Sequence, residues 1–339
     1  MISRRSVLLA VLAALAALGI LYVVVPALAG LNRTWDLLGR GDAWWLGVGV
    51  ALEAASFAGY VVLFRAVLDG GGDAGVGWAT SARITLAGVA ASRVLAAGGV
   101  GGIALTVWAL GWEGLSARRI ATRLTAFLVL LYSIYMTALL LVGAGLAAGA
   151  LSGPAPFALT VVPAIFATLV IATALAAGLV PGDLARRLGR LSAAQGVLGR
   201  AARALARAAE IVGEGVRGAL ALLRTRDPGL LGAVAWWAFD VAVLWACLRA
   251  FGPAPPVGVV VMAYFVGMLG NLLPIPGGIG GVEGGMIGAL AAFGVPGGHA
   301  VVGVLAYRGI SLWLPTLPGV VAYLQLVRRH GTRPAARAP

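Results

Sequence analysis

Between two strongly apolar runs the chain reads NLLPIPGGIGGVE, from Asn271 to Glu283. No regular helix passes through such a stretch. Pro274 and Pro276 each remove a backbone donor and clash with the preceding turn, while Gly277, Gly278, Gly280 and Gly281 allow backbone angles and close approaches that other residues forbid. In a hydrocarbon surrounding, each unpaired N–H or C=O costs several kcal/mol, roughly, so a break there needs protein or trapped water to satisfy it. The pattern predicts two half-helices meeting at a non-helical elbow, residues 274–283. Glu283 then falls in the first turn of the second half-helix, where the dipole favours negative charge, and Asn271 is placed to bond the freed backbone groups.

The flanks are membrane segments. The chain is 61% hydrophobic and only 11% charged, with a mean hydropathy of +0.98, which excludes a soluble domain and fits a polytopic membrane protein. All 25 basic residues are arginine. The net charge of +13 comes largely from arginines in loops beside apolar spans, a distribution that fits the positive-inside rule rather than nucleic-acid binding. A single cysteine, Cys247, excludes an intramolecular disulfide and reads as a small packed residue. His299 and His330 have no metal-ligand partners at useful spacing, so neither metal nor cofactor is expected. Without lysine there is no Walker-type nucleotide loop.

An earlier stretch repeats the design. GGVGGIA at Gly98–Ala104 parallels GGIGGVE at Gly277–Glu283, which makes Gly98, Gly99, Gly101 and Gly102 a first elbow at 98–102. Each lies after a polar interruption, Arg93 in one case and Asn271 in the other. Around these elbows the chain divides into an N-terminal span (1–30), a first membrane half (31–182), a basic connector (183–227), a second membrane half (228–327) and a basic tail (328–339). Residues 7–29 are too long an apolar run for a signal-peptide core and read as an uncleaved span. Further spans are expected at 44–68, 124–150, 156–180, 229–251 and 301–327. Residues 78–110 and 257–293 are cut by the elbows into pieces too short to cross, so each is expected to form a re-entrant hairpin. Arg118, Arg119 and Arg123 are expected in a basic loop before the span at 124. The connector carries nine arginines and apolar residues three, four and seven apart, the period of an amphipathic helix on an anionic membrane surface.

Placing the N-terminus, the 111–123 loop, the connector and the tail in the cytoplasm puts 18 of the 25 arginines on one side. This works only if each hairpin returns to the side it came from, one entering from the cytoplasm and the other from outside. Opposed hairpins in two halves are the signature of an inverted-topology repeat. Each is preceded by a span with one buried acid, Glu53 or Asp240, and followed by an arginine near the start of a span, Arg123 or Arg308. The expected fold class is therefore an all-α polytopic helix bundle with two glycine-rich re-entrant hairpins. Its expected location is the cell membrane, with both termini cytoplasmic.

With LPIPGGIGGVE at Leu273–Glu283 and YRGISLWLP at Tyr307–Pro315 in view, the chain resembles the lysylphosphatidylglycerol synthase transmembrane region family, also described as flippase-like integral membrane proteins. The resemblance covers most of residues 30–327. It implies a lipid transporter or flippase, a membrane region that in some members is fused to an aminoacyltransferase domain. Only residues 328–339 follow the last span, so no such domain is expected here. The first half departs from the family pattern: Thr122 stands before Arg123 where an acid is common, and Ala96 and Ala97 precede the first elbow where proline is common.

The candidate transport residues are Glu283, Arg308, Asp240, Glu53, Arg93, Arg123 and Asn271. A carboxylate inside a membrane span costs about 2.5–3.5 kcal/mol on insertion scales, so such acids are expected to work. Arginines and half-helix N-termini would hold a phosphate-bearing headgroup. Glu283, with Asp240 or Glu53, would carry a proton. The sequence thus predicts a non-enzymatic lipid transporter whose partners are membrane lipids. A second copy of the chain or a lipid-modifying enzyme is a further candidate partner, and the alternative functions are a membrane subunit that presents lipid to a partner enzyme, a lipid-modifying transferase, or a small-ion or solute transporter.

Overall fold

The computed structural model describes residues 39–69, 76–94, 100–179, 197–272 and 278–331. Among them are ten α-helices: α1 (Ala43–Asp69), α2 (Trp78–Val94), α3 (Val100–Trp112), α4 (Ala117–Ala147), α5 (Phe157–Leu179), α6 (Val197–Thr225), α7 (Gly232–Ala250), α8 (Val257–Met268), α9 (Gly281–Ala292) and α10 (Gly297–Gly331). A 3-10 turn, Pro228–Leu231, leads into α7, and another, Leu269–Leu272, ends α8. No strand occurs among the described residues.

Five of these helices are long and apolar enough to cross a membrane: α1, α4, α5, α7 with its leading turn, and α10. The chain is a multi-pass, all-α membrane protein. Surface chemistry agrees, since α5 exposes Phe157, Val162, Ile165, Phe166 and Leu169 in a patch that lipid accepts and water does not. By contrast α3, α8 and α9 have 13, 12 and 12 residues. At 1.5 Å per residue they reach about 18–20 Å, short of a hydrocarbon core of ~30 Å. The spans expected at 44–68, 124–150, 156–180, 229–251 and 301–327 correspond to α1, α4, α5, α7 and α10.

Two expectations are corrected. The arginines 118, 119 and 123 do not lie in a loop, because α4 begins at Ala117 and carries them on its first two turns; the Ser116 side chain caps this end by accepting from the Arg119 N–H at 3.4 Å. Gly101 and Gly102 are not a bend either, but form the first turn of α3. A Cβ on Gly102 would stand 2.4 Å from the Gly88 carbonyl oxygen, so its bareness lets α3 lie against α2. Of the connector, 197–225 is one helix, docked on α4 and α5, with the Arg217 guanidinium donating to the Gly178 carbonyl at 3.3 Å. The expected first span at 7–29, most of the tail and residues 183–196 lie outside the described residues.

The most extensive helix pair is α1 with α7. They cross where both are bare: a Cβ on Gly232 would stand 2.3 Å from the Gly59 carbonyl oxygen, and one on Gly59 would stand 2.7 Å from the Ala235 Cβ. Close to this crossing the Ser56 hydroxyl donates to the Trp236 carbonyl at 2.8 Å. Around it, α2 packs along α10 and α8 packs against α4. One helix of each consecutive pair, α2 of α2–α3 and α8 of α8–α9, thus contacts the long helix that follows the other pair, while α3 and α9 contact the long helix that follows their own. The core between them is filled by Leu63, Val243, Leu244, Tyr264, Met286 and Val304.

Adding bulk at the α1–α7 crossing is expected to force the helices apart. Gly59→Val should lower the melting temperature in detergent, with a loss of about 1–3 kcal/mol or more from overpacking. Gly47→Ala, on the same helix but with nothing within 4 Å of its Cβ position, should leave melting unchanged.

Candidate functional site: a buried polar line across five helices

After the proline–glycine run the backbone turns through Gly278 (φ 64°) and Gly280 (φ 86°), left-handed angles that a side chain resists. Helix α9 then starts at Gly281, which places Glu283 in its first turn as the sequence predicts. The carboxylate is used twice. Its Oε2 accepts from the Gly280 backbone N–H at 2.6 Å, and its Oε1 accepts from Arg308 Nε at 2.6 Å. Both residues are buried, Glu283 at 1% exposure and Arg308 at 6%. Two charges withdrawn this far from water hold only because each has its counter-charge and hydrogen bonds. One side chain thus ties the elbow end of α9 to the middle of α10.

One residue before Arg308 on α10 lies Tyr307, which leads to the second acid. Asp240 on α7 accepts from the Tyr264 hydroxyl of α8 at 2.5 Å. Tyr264 also meets the Tyr307 hydroxyl, and Tyr307 meets Ser311. Asp240, Tyr264 and Tyr307 thus lie side by side, with Arg308 next along α10. Glu53 on α1, 2% exposed, acts electrostatically on Tyr307 and on Cys247, and Asp240 acts on both as well. The two acids from the two halves therefore converge on one place.

Aromatic packing fixes these positions. Trp237 donates its indole N–H to the Leu131 carbonyl at 2.7 Å, and the Tyr135 hydroxyl donates to the Phe265 carbonyl, binding α4 to α7 and α8. Tyr264 packs edge-on against Phe265 and Tyr307, with ring centroids 5.1 and 6.0 Å apart.

The structure thus brings together Glu283, Arg308, Asp240 and Glu53. Arg123 sits elsewhere, half-buried on the second turn of α4 beside Arg119. Asn271, expected to bond elbow backbone, is exposed and donates to the Met268 sulfur at 3.2 Å, while its Oδ1 abuts Gly278. The side chain of Arg93 and the residues Gly98, Gly99, Pro274, Pro276 and Gly277 lie outside the described set. So does the expected meeting of the two elbows. Tyr264 and Ser311 were not foreseen as members of the site; the only signal was a hydroxyl in an otherwise apolar helix, which when buried needs a partner.

These features define a class: a multi-pass helical membrane protein whose interior holds an ion pair at the start of α9 and a buried tyrosine–aspartate hydrogen bond beside it. The family is shown by a match to the model described as "Lysylphosphatidylglycerol synthase TM region" over residues 7–319, and the chain belongs to that family. A "UPF0104 membrane protein" of Methanothermobacter thermautotrophicus is 36% identical over 95 residues. That stretch spans 28% of this chain and 27% of the relative. Together they support a membrane, lipid-related role.

Breaking a buried pair leaves an uncompensated charge, worth about 3–5 kcal/mol. Arg308→Gln is therefore expected to lower stability by that order in detergent unfolding. The double variant Glu283→Gln with Arg308→Gln should recover part of the loss, and a purely additive double would contradict the pairing.

Proposed function

We propose that the protein moves a phosphate-bearing lipid headgroup between leaflets, without making or breaking covalent bonds in it. The observation that carries this reading is the Glu283–Arg308 pair, a buried guanidinium held by a carboxylate at the N-terminus of a half-helix. A phosphate is the natural competitor for that carboxylate, because it suits both the arginine and the N-terminal N–H groups. Protonation of Glu283 would weaken its hold on Arg308 and free the guanidinium for the lipid. Release of the headgroup would restore the pair. Asp240, through Tyr264 and Tyr307, offers a route for that proton beside Arg308, with Glu53 as a second acceptor.

In this reading the short helix pairs α2–α3 and α8–α9 are re-entrant hairpins of an inverted-topology repeat. The reciprocal packing of α2 on α10 and α8 on α4 supports it. The arginine distribution would put both termini and α6 on the cytoplasmic side of the cell membrane. A second reading, a membrane subunit that presents lipid to a partner enzyme, is favoured by the family's description as part of a synthase. Both readings use the same headgroup site, and they differ in whether this chain moves lipid alone.

Leaflet exchange of fluorescent anionic and zwitterionic phospholipids in proteoliposomes tests the proposal. Wild type is expected to exchange at least one phospholipid faster as pH falls. Glu283→Gln, permanently neutral there, should lose the pH dependence, and Arg308→Gln should lose exchange by at least about tenfold, as for a lost charged contact. If no lipid moves with correctly inserted protein at any pH, autonomous transport is wrong and the subunit reading replaces it.

A further inference from the structure

Helix α4 is longer than a membrane requires. Its 31 residues reach about 46 Å at 1.5 Å each, against a hydrocarbon core of ~30 Å. The excess lies at its start, where Arg118, Arg119 and Arg123 precede an uncharged run, so these two turns stand at the lipid headgroups. Helix α6 docks just beyond them. Its Gly215 lies against the side chains of Thr125 and Val129 on α4, its Gly213 against the Ala177 carbonyl, and its Val216 against Gly178 in the last turn of α5. The seat of α6 is therefore the boundary between hydrocarbon and headgroups.

The faces of α6 are sorted for such a place. Val216, Ala219 and Leu222, one turn apart, are buried. Ile211, Leu220 and Leu223 are exposed, as are Leu175 and Leu179 at the end of α5 on which α6 rests, so the lipid-facing patch of α5 runs on to the helix. Glu210, Glu214, Arg217, Ala221 and Arg224 follow one another at intervals of four and three and form a separate, polar face. Over residues 117–123 and 197–227 nine arginines stand against three acids. An acidic protein or a nucleic acid would account for the arginines and leave the exposed leucines in water. A leaflet of anionic lipid satisfies both, because it takes apolar side chains below its headgroups and basic ones at them.

We propose that α6 and the first two turns of α4 form a docking surface for the anionic phospholipids of one leaflet, with the arginines at the headgroups and Ile211, Leu220 and Leu223 among the acyl chains. The surface rests mainly on α4 and α5, apart from the Glu283–Arg308 pair, and does not depend on lipid movement.

Binding of acyl-labelled fluorescent phosphatidylglycerol and phosphatidylcholine to the full-length protein in neutral detergent, read by anisotropy, tests this. Wild type is expected to prefer phosphatidylglycerol, and about 1 M salt should remove most of the preference. Arg118→Gln and Arg224→Gln, both at exposed side chains, should each weaken phosphatidylglycerol binding about fivefold and leave phosphatidylcholine unchanged. Arg249→Gln, on the last turn of α7 and so at the end away from α6, should change neither, and Arg308→Gln should keep the preference. A preference lost in Arg308→Gln and kept in the two surface variants assigns the anionic lipid to the ion-pair site and overturns the proposal. Equal binding of the two lipids by wild type overturns it as well. Spin labels in bilayers give a second reading that needs no arginine replaced. With Cys247→Ala as background, a label on Leu223→Cys should be reached by oxygen from the hydrocarbon, and one on Ala221→Cys by a water-soluble nickel chelate. Nickel reaching both labels equally would place this face of α6 in water and contradict the docking.

Discussion

The Glu283 carboxylate is the interaction on which the rest of the arrangement depends. A helix broken inside a membrane leaves backbone groups that lipid cannot satisfy, and an arginine buried in α10 leaves a charge that lipid cannot solvate. One side chain meets part of both needs, accepting from the Gly280 N–H with one oxygen and from Arg308 with the other. The break, the acid and the arginine are therefore mutually required. This makes the pair a strong joint and also a changeable one, since neutralising the carboxylate weakens both contacts together.

Around that joint, the packing keeps the polar groups in one line. The bare crossing of α1 and α7 brings Glu53 and Asp240 to a common region, while α8 and α10 supply Tyr264 and Tyr307 between Asp240 and Arg308. Long helices provide the frame, and helices too short to cross carry the elbow.

The long apolar helices were legible because hydrocarbon thickness imposes a length that a sequence displays directly. The start of α9 was legible because the glycines before it announce a helix end, and Glu283 falls in its first turn. The 111–123 segment was misread for an instructive reason. Arginine suggested a loop, but it is a good helix former, and with Ser116 as cap α4 carries its charged turns as a continuation of the apolar span. Gly102 was misread similarly, since glycine serves close packing as readily as bending. Tyr264 was beyond reach, because nothing in VVVMAYFVGM tells that its hydroxyl points to an aspartate on another helix. Long-range partners of single polar groups are set by packing, and local pattern does not encode them.

The central claim is that the interior around Glu283 and Arg308 receives a lipid headgroup. The most direct test is photo-crosslinking in proteoliposomes with a phospholipid bearing a diazirine on its headgroup, mapped by peptide mass spectrometry. The account predicts adducts on residues 278–287 and around Arg308, diminished when Arg308 is replaced by glutamine. Adducts confined to the outward faces of helices such as α5, unchanged by that replacement, would contradict it.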